Sequence, residues 1–226
     1  MIRAVLLDAL GTLVRLEPPA PRLQASLRTR LDLDVPLDRC AAAMQAEMSY
    51  YGSHCARASD DAALAVLRLE CADVLADVLA EGLQGAEILA CLTDAVVFSA
   101  YPDAAPALAT LAAQGKRLAV VSNWDVSLPP VLRRLGLAQH IEAIVHSAGV
   151  GAAKPDPRPF RVALELLALT ADDCIHVGDD PVNDGRGAAA AGLRAILVDR
   201  RGGSLDERTV RSLEDIPARL DLLDAA

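Results

Sequence analysis

The chain has 226 residues, of which 53% are hydrophobic and 23% charged. That balance belongs to a globular protein with a full core and excludes a disordered chain. Acidic residues outnumber basic ones 31 to 22, for a net charge of −9, and aromatics are only 3%. Neither a phosphate-backbone surface nor a base-stacking platform fits those numbers, so nucleic acid is not an expected partner.

From the N-terminus, the first apolar run is Ala4–Leu7, closed by Asp8. It is too short for a signal peptide. No segment reaches the ~18 uninterrupted apolar residues of a membrane-spanning helix. The expectation is a cytoplasmic protein, monomeric or homodimeric, with no membrane partner. Residues 16–98 then hold no strand-like run but several amphipathic helical stretches. One follows Pro21, one follows Pro36, and a third starts at Ser59, read as its N-cap. In that third stretch Leu64, Leu67, Cys71, Leu75 and Val78 recur at helical spacing. A fourth helix is expected over residues 87–97, and proline-bearing hinges at 18–21 and 99–102 bracket the segment. The five cysteines (40, 55, 71, 91 and 174) show no C-x-x-C spacing and read as small buried apolar residues.

Beyond residue 99 the texture changes. Short Val-, Ile- and Leu-rich runs at 118–121, 143–145, 174–177 and 195–198 alternate with helical patterns at 104–114, 127–135, 157–167 and 182–191. Strand–helix alternation of this kind predicts an α/β fold with a doubly wound parallel sheet. After residue 200 a polar loop, a short strand near 210–213 and a closing helix near 216–222 are expected. The predicted domains are residues 1–15 with 99–226 as the α/β core, and 16–98 as an inserted all-helical domain.

In such sheets ligands bind beyond the carboxyl ends of the strands. The residues at those ends are Asp8-Ala9-Leu10-Gly11-Thr12 after the first run and Ser122-Asn123 after the second. Lys154-Pro155-Asp156, holding one of only two lysines, follows the third, and Gly178-Asp179-Asp180-Pro181-Val182-Asn183-Asp184 follows the fourth. Three carboxylates within six residues repel one another unless a cation relieves them. With oxygen ligands and no Cys or His cluster, Mg²⁺ is the natural choice. A carboxylate nucleophile, hydroxyl and amide groups, a lysine and an acidic cluster at one sheet edge suit phosphoryl transfer.

The motifs DALGTL, VVSN, KPD and VGDDPVND, in this order and spacing, resemble the four motifs of the haloacid dehalogenase-like (HAD) hydrolases, in the subfamily with a helical cap inserted after the first motif. The resemblance covers nearly the whole chain. It implies that Asp8 is the nucleophile, that Thr12 and Ser122 bind phosphate oxygens with Asn123 beside them, and that Lys154 stabilises charge. It further implies that Mg²⁺ is held by Asp8, the backbone carbonyl of Leu10 and Asp179, helped by Asp180 and Asp184. The substrate it suggests is a small phosphorylated metabolite.

One position departs from the family pattern. Phosphatases of the family carry D-x-D in the first motif, the second Asp acting as general acid and base, and here that position is Leu10. The candidates to replace it are Glu47, Tyr50 and His54, all on one predicted helix, while the arginines at 22, 28, 30, 39, 57 and 68 are candidate substrate contacts. Metal-free 2-haloacid dehalogenases of the same superfamily also lack the second Asp, but lack an Asp at the position of 179. Phosphonatase relatives use a lysine in the cap, and this chain has no lysine before 116. A non-catalytic ligand- or partner-binding protein on the same fold is the remaining alternative.

Overall fold

The computed structural model describes residues 1–80, 82–200, 202 and 208–225. Among them the strands are β1 (Ala4–Leu7), β2 (Val14–Leu16), β3 (Phe98–Ala100), β4 (Arg117–Ser122), β5 (Ala143–His146), β6 (Cys174–Gly178), β7 (Arg194–Val198) and β8 (Thr209–Val210). Six form a parallel sheet in the order β5-β4-β1-β6-β7-β8. β1 is buried on both faces, which is why its sequence is uniformly apolar rather than alternating. Its register sets Leu7 beside Val120 on one side and Val177 on the other. The chain winds outward from β1 through β4 to β5, then returns to β6 on the opposite side. The switch in winding direction therefore lies at β1, between β4 and β6, and the predicted motif ends sit there.

The chain divides into two compact units, Met1–Arg15 with Ala100–Ala226, and Leu16–Ser99. The second holds α1 (Pro19–Leu31), α2 (Leu37–His54), α3 (Asp61–Leu79) and α4 (Gly85–Ala95). The first holds α5 (Ala104–Ala113), α6 (Leu128–Arg134), α7 (Ser147–Val150), α8 (Arg158–Leu167), α9 (Gly187–Ala190) and α10 (Ile216–Ala225). On one face of the sheet α8 buries Phe160, Ala163 and Leu167 against Leu6, Ala119 and Val121. Among the described residues no helix is long and apolar enough to cross a membrane.

Several details depart from the sequence reading. The N-cap of α3 is Asp60, whose carboxylate accepts from the Ala63 amide at 2.8 Å, so Ser59 lies one residue outside. Its buried stripe runs through Leu64, Leu67, Cys71, Leu75 and Leu79, and Val78 is exposed. The short β2 and β3 pair with each other, although no strand was expected next to the hinges. The winding from Pro181 to Arg186 is wider than an α-helix, with the Gly185 amide reaching the Asp180 carbonyl five residues back. The terminal strand is Thr209–Val210 rather than 210–213, and most of the polar loop expected after Arg200 lies outside the described residues. All five cysteines are buried.

Within the helical unit, five of the six candidate arginines have partners there. Arg28 pairs with Asp34, Arg30 with Asp94 and Arg57 with Glu70, while Arg22 and Arg39 donate to the carbonyls of Asp94 and Leu79. Tyr50 donates to Glu70 at 3.0 Å and stacks on His54. Glu47 is buried, and that burial pushes its carboxyl up to about 7, with a hydrogen bond to Cys71 pulling the other way. Between the ordinary glutamate value and about 7 the folded state holds a proton that the unfolded state has released. Stability therefore falls as pH rises through that window. Glu47→Gln should abolish this slope, so that urea unfolding finds it more stable than wild type at pH 8, by at most about 3 kcal/mol, and no more stable at pH 4.

Candidate functional site

Asp8 leaves the end of β1 with its amide bonded to the Val177 carbonyl at 2.8 Å, so the backbone ladder itself fixes where the carboxylate begins. One oxygen, Oδ1, accepts from Ser122 Oγ at 2.9 Å and from Lys154 Nζ at 2.6 Å. Lys154 also donates to Asp184 Oδ1 at 2.5 Å. Asp8, Ser122, Lys154 and Asp184 are all buried. An ammonium taken out of water is tolerable only with such partners. The two carboxylates hold it charged: burial works against its ionisation, but Asp8 and Asp184 outweigh that and raise its pKa. For Asp8 burial dominates, and with repulsion from Asp184 and Asp179 it pushes the carboxyl up to about 6 against the pull of Lys154.

Asn123 acts on this arrangement from behind. Its amide donates to the Lys154 carbonyl at 2.9 Å and its carbonyl accepts from the Lys154 amide at 2.7 Å, clamping both sides of one residue's backbone. The sequence placed Asn123 beside the bound phosphate, and the structure gives it the role of aiming the lysine.

Asp184 is held by a residue that the sequence reading missed. His176, fully buried in β6, meets Asp184 Oδ1 through Nε2 at 2.8 Å, and Phe160 packs edge-on against its ring. The other oxygen of Asp184 accepts from the Asp180 amide at 3.0 Å. Burial would raise the Asp184 carboxyl, but the bonds from His176 and Lys154 reverse this and hold it well below the usual range. A histidine inside an otherwise apolar strand, two residues before Gly-Asp-Asp, was the available signal.

Two glycines make room for the carboxylates. A Cβ on Gly178 would lie 2.1 Å from the Asp184 carboxyl carbon. Gly11, at φ +89°, would put a Cβ 2.1 Å from Asp179 Oδ2, so both its conformation and its neighbour require glycine.

Asp8, Asp179 and Asp184 each place an oxygen within 4.8 Å of the others, Asp179 being the exposed member. Asp180 is not part of that cluster. Its carboxylate caps the turn that follows, accepting from the Val182 and Asn183 amides at 2.7 and 2.9 Å. Leu10 directs a large, partly exposed apolar side chain outward where an acid was the family expectation. Thr12 Oγ1 is buried without a partner among the described residues, a donor left for something the protein alone does not supply. Three carboxylates against one ammonium leave two negative charges uncompensated, which fits a divalent cation with hard oxygen preference.

Comparison with known proteins adds a family context. A model of the haloacid dehalogenase-like hydrolases matches residues 2–192. The chain is 38% identical over 126 residues to haloacid dehalogenase-like hydrolase domain-containing protein 3 of Danio rerio, covering 53% of this chain and 52% of that protein. It is 40% identical over 104 residues to a phosphoserine phosphatase of Thermus thermophilus, covering 44% and 41%. The chain thus spans about half the length of the curated relatives it matches. Among solved structures, a 2-haloacid dehalogenase from Pseudomonas syringae pv. Tomato aligns with 99% of the chain and 100% of its own, at 26% identity and a TM-score of 0.67. A HAD phosphatase from Thermococcus onnurineus shares the fold at 22% identity and a TM-score of 0.67, over 97% of this chain and 98% of its own.

Removing the buried ammonium should expose how much the cluster depends on it. In the presence of a chelator, Lys154→Met is expected to lose about 3–5 kcal/mol of stability at neutral pH, as for other broken buried pairs. Asp8 and Asp184 would then be harder to ionise in the folded state than in the unfolded one, so the loss should shrink as pH falls towards 4. Urea titrations at pH 7.5 and pH 4.5 measure both values, and an equal loss at the two would contradict this electrostatic origin.

Proposed function

The chain belongs to the haloacid dehalogenase-like hydrolase family, and on that basis we propose that it is a Mg²⁺-dependent phosphatase acting on a small phosphorylated metabolite in the cytoplasm. The observation that carries the proposal is the uncompensated charge of Asp8, Asp179 and Asp184 around a single lysine. Left without a cation, that cluster would repel any anionic substrate. The helical unit is read as the cap.

Asp8 is the nucleophile in this reading. Ser122 and Lys154 both engage Oδ1, which leaves Oδ2 as the oxygen that attacks phosphorus. As the new P–O bond forms, the bond to the leaving oxygen breaks and that oxygen takes the electron pair. Lys154 keeps a positive charge beside the reacting oxygens throughout, and the free Thr12 hydroxyl donates to a phosphoryl oxygen. Water then cleaves the acyl phosphate, releasing phosphate and restoring the Asp8 carboxylate. Mg²⁺ would be held by Asp8, Asp179, Asp184 and the backbone carbonyl of Leu10, and supplies neutralisation of the charge that builds on the transferred group.

Leu10 restricts which substrates turn over well. A leucine gives no proton to a leaving alkoxide and takes none from the attacking water. A positioned acid–base group is typically worth ~10²–10⁴-fold. Aryl and acyl phosphates, whose leaving groups depart unprotonated, are therefore the favoured class. The dehalogenase reading draws on the same leucine, since a halide departs without a proton, and on the likeness to the Pseudomonas syringae enzyme.

Hydrolysis of p-nitrophenyl phosphate, with and without Mg²⁺, tests the proposal against chloride release from 2-chloropropionate. Mg²⁺-dependent phosphate release that Asp8→Asn abolishes is the expected result, and chloride release without phosphatase activity would overturn it. Leu10→Asp should raise the rate on an alkyl phosphate by about 10²-fold and on the aryl ester by less. Unchanged rates on both would mean that position 10 is not where the missing acid–base group belongs.

A further inference from the structure

Arg200, at the end of the segment after β7, takes no part in the mechanism above, yet its guanidinium is among the most fully engaged side chains in the α/β unit. Nη2 donates to the Thr12 carbonyl at 2.7 Å and Nε reaches the Gly11 carbonyl at 3.4 Å. Nη1 and Nη2 hold both oxygens of Asp103, at 2.8 and 3.0 Å, in a bidentate pair. The planar group lies 3.8 Å over the ring of Tyr101. Asp103 is itself fixed, accepting from Ser212 Oγ and from the Leu213 amide, each at 2.9 Å.

The two segments that Arg200 joins are the ones that flank the insertion. Residues 11–13 lead out of the α/β unit, and residues 101–103 lead back into it. The Tyr101 amide donates to the Leu13 carbonyl at 3.0 Å, so backbone and guanidinium staple the same pair of segments. The outgoing segment is also the motif loop. Its inner side is closed by the Leu13 and Val14 amides on the Ala9 carbonyl, at 2.9 and 2.8 Å. Its outward carbonyls at Gly11 and Thr12 are the ones that Arg200 takes. One side chain thus fixes the peptide planes on either side of Thr12, and through them the position of a hydroxyl four residues after Asp8.

We propose that Arg200 is a positioning residue for phosphoryl transfer: anchored by Asp103 and Tyr101, it holds the loop carrying Leu10 and Thr12 in register with Asp8 without touching the substrate. Only arginine can do this, because the task needs a flat fork that grips a carboxylate, two carbonyls and a ring at once. Lysine keeps the charge and loses the geometry. The proposal rests on the phosphatase reading for its kinetic consequence, but the hold on the loop stands apart from it.

Arg200→Lys and Asp103→Asn are the test, with Lys116→Met as the control. Lys116 ties the chain ends together through the Ile2 carbonyl and Asp224, remote from the motif loop in sequence and function. The measurements are kcat and KM on p-nitrophenyl phosphate below the unfolding transition, and amide hydrogen exchange over residues 9–14. Both Arg200→Lys and Asp103→Asn should lower kcat by about 10- to 100-fold, the scale of a small misplacement of reacting groups, with KM changed less than about threefold. Exchange in residues 9–14 should rise in both. Lys116→Met should lose stability with kcat intact. Folded Arg200→Lys protein with wild-type kcat overturns the proposal, as does an equal fall of kcat in Lys116→Met. Wild-type protein without turnover would instead remove the phosphatase reading, and unchanged exchange in Arg200→Lys would then overturn the hold itself.

Discussion

The arrangement depends on one buried ammonium. The Lys154 side chain is 2% exposed, and its Nζ sits between Asp8 and Asp184, which lie 146 and 30 residues away in sequence. A charge this deep is stable only with matched partners at bonding distance, and much of the surrounding structure serves that match. Parallel pairing of β1 with β4 and β6 brings three motif ends to one edge. Asn123 clamps the lysine backbone, His176 orients Asp184, and Gly178 leaves space for its carboxyl group. The ladder bond from the Asp8 amide to the Val177 carbonyl starts the Asp8 side chain in the right place. Without the lysine, the Asp8 and Asp184 carboxylates would be buried with their shared counter-charge gone.

The same match leaves a residue of charge. One ammonium answers only part of three carboxylates, and Asp179 at the exposed mouth faces the space where a cation and an anionic substrate would meet. Fold, charge and chemistry are thus linked in one direction. A doubly wound sheet creates the edge, the edge gathers acids, and the chain supplies one fixed cation among them; in the proposed function a divalent cation from solvent supplies the rest. In that same proposal Leu10 decides which leaving groups the site serves.

Much of this was legible in the sequence, because the strongest signals are local. Apolar runs of three or four residues mark the buried strands, and their polar successors mark the sheet edge. Asp8, Ser122, Lys154, Asp179 and Asp184 were found that way. What escaped depends on tertiary partners. Asn123 reads from sequence as a neighbour of the phosphate site, and its hold on the Lys154 backbone appears only in the fold. Asp180 looks like a third acid for the cluster, but in D-D-P-V-N-D it is the residue positioned to cap the turn. His176 reads as an oddity in a strand until Asp184 is placed beside it. Ser59 and Asp60 are both good caps, and one residue of register separates them. Arg200 gave no signal, since its partners come from residues 11–12 and 101–103.

In the proposed reaction the oxygen of Asp8 that Lys154 leaves free forms a bond to phosphorus. Acid-quenched protein caught during turnover of an aryl phosphate, digested and analysed by mass spectrometry, tests this directly. The peptide containing Asp8 is expected to gain the mass of one phosphoryl group, hydroxylamine to remove it, and Asp8→Asn never to acquire it. Product formation at full rate with that peptide unmodified at every quench time would contradict it.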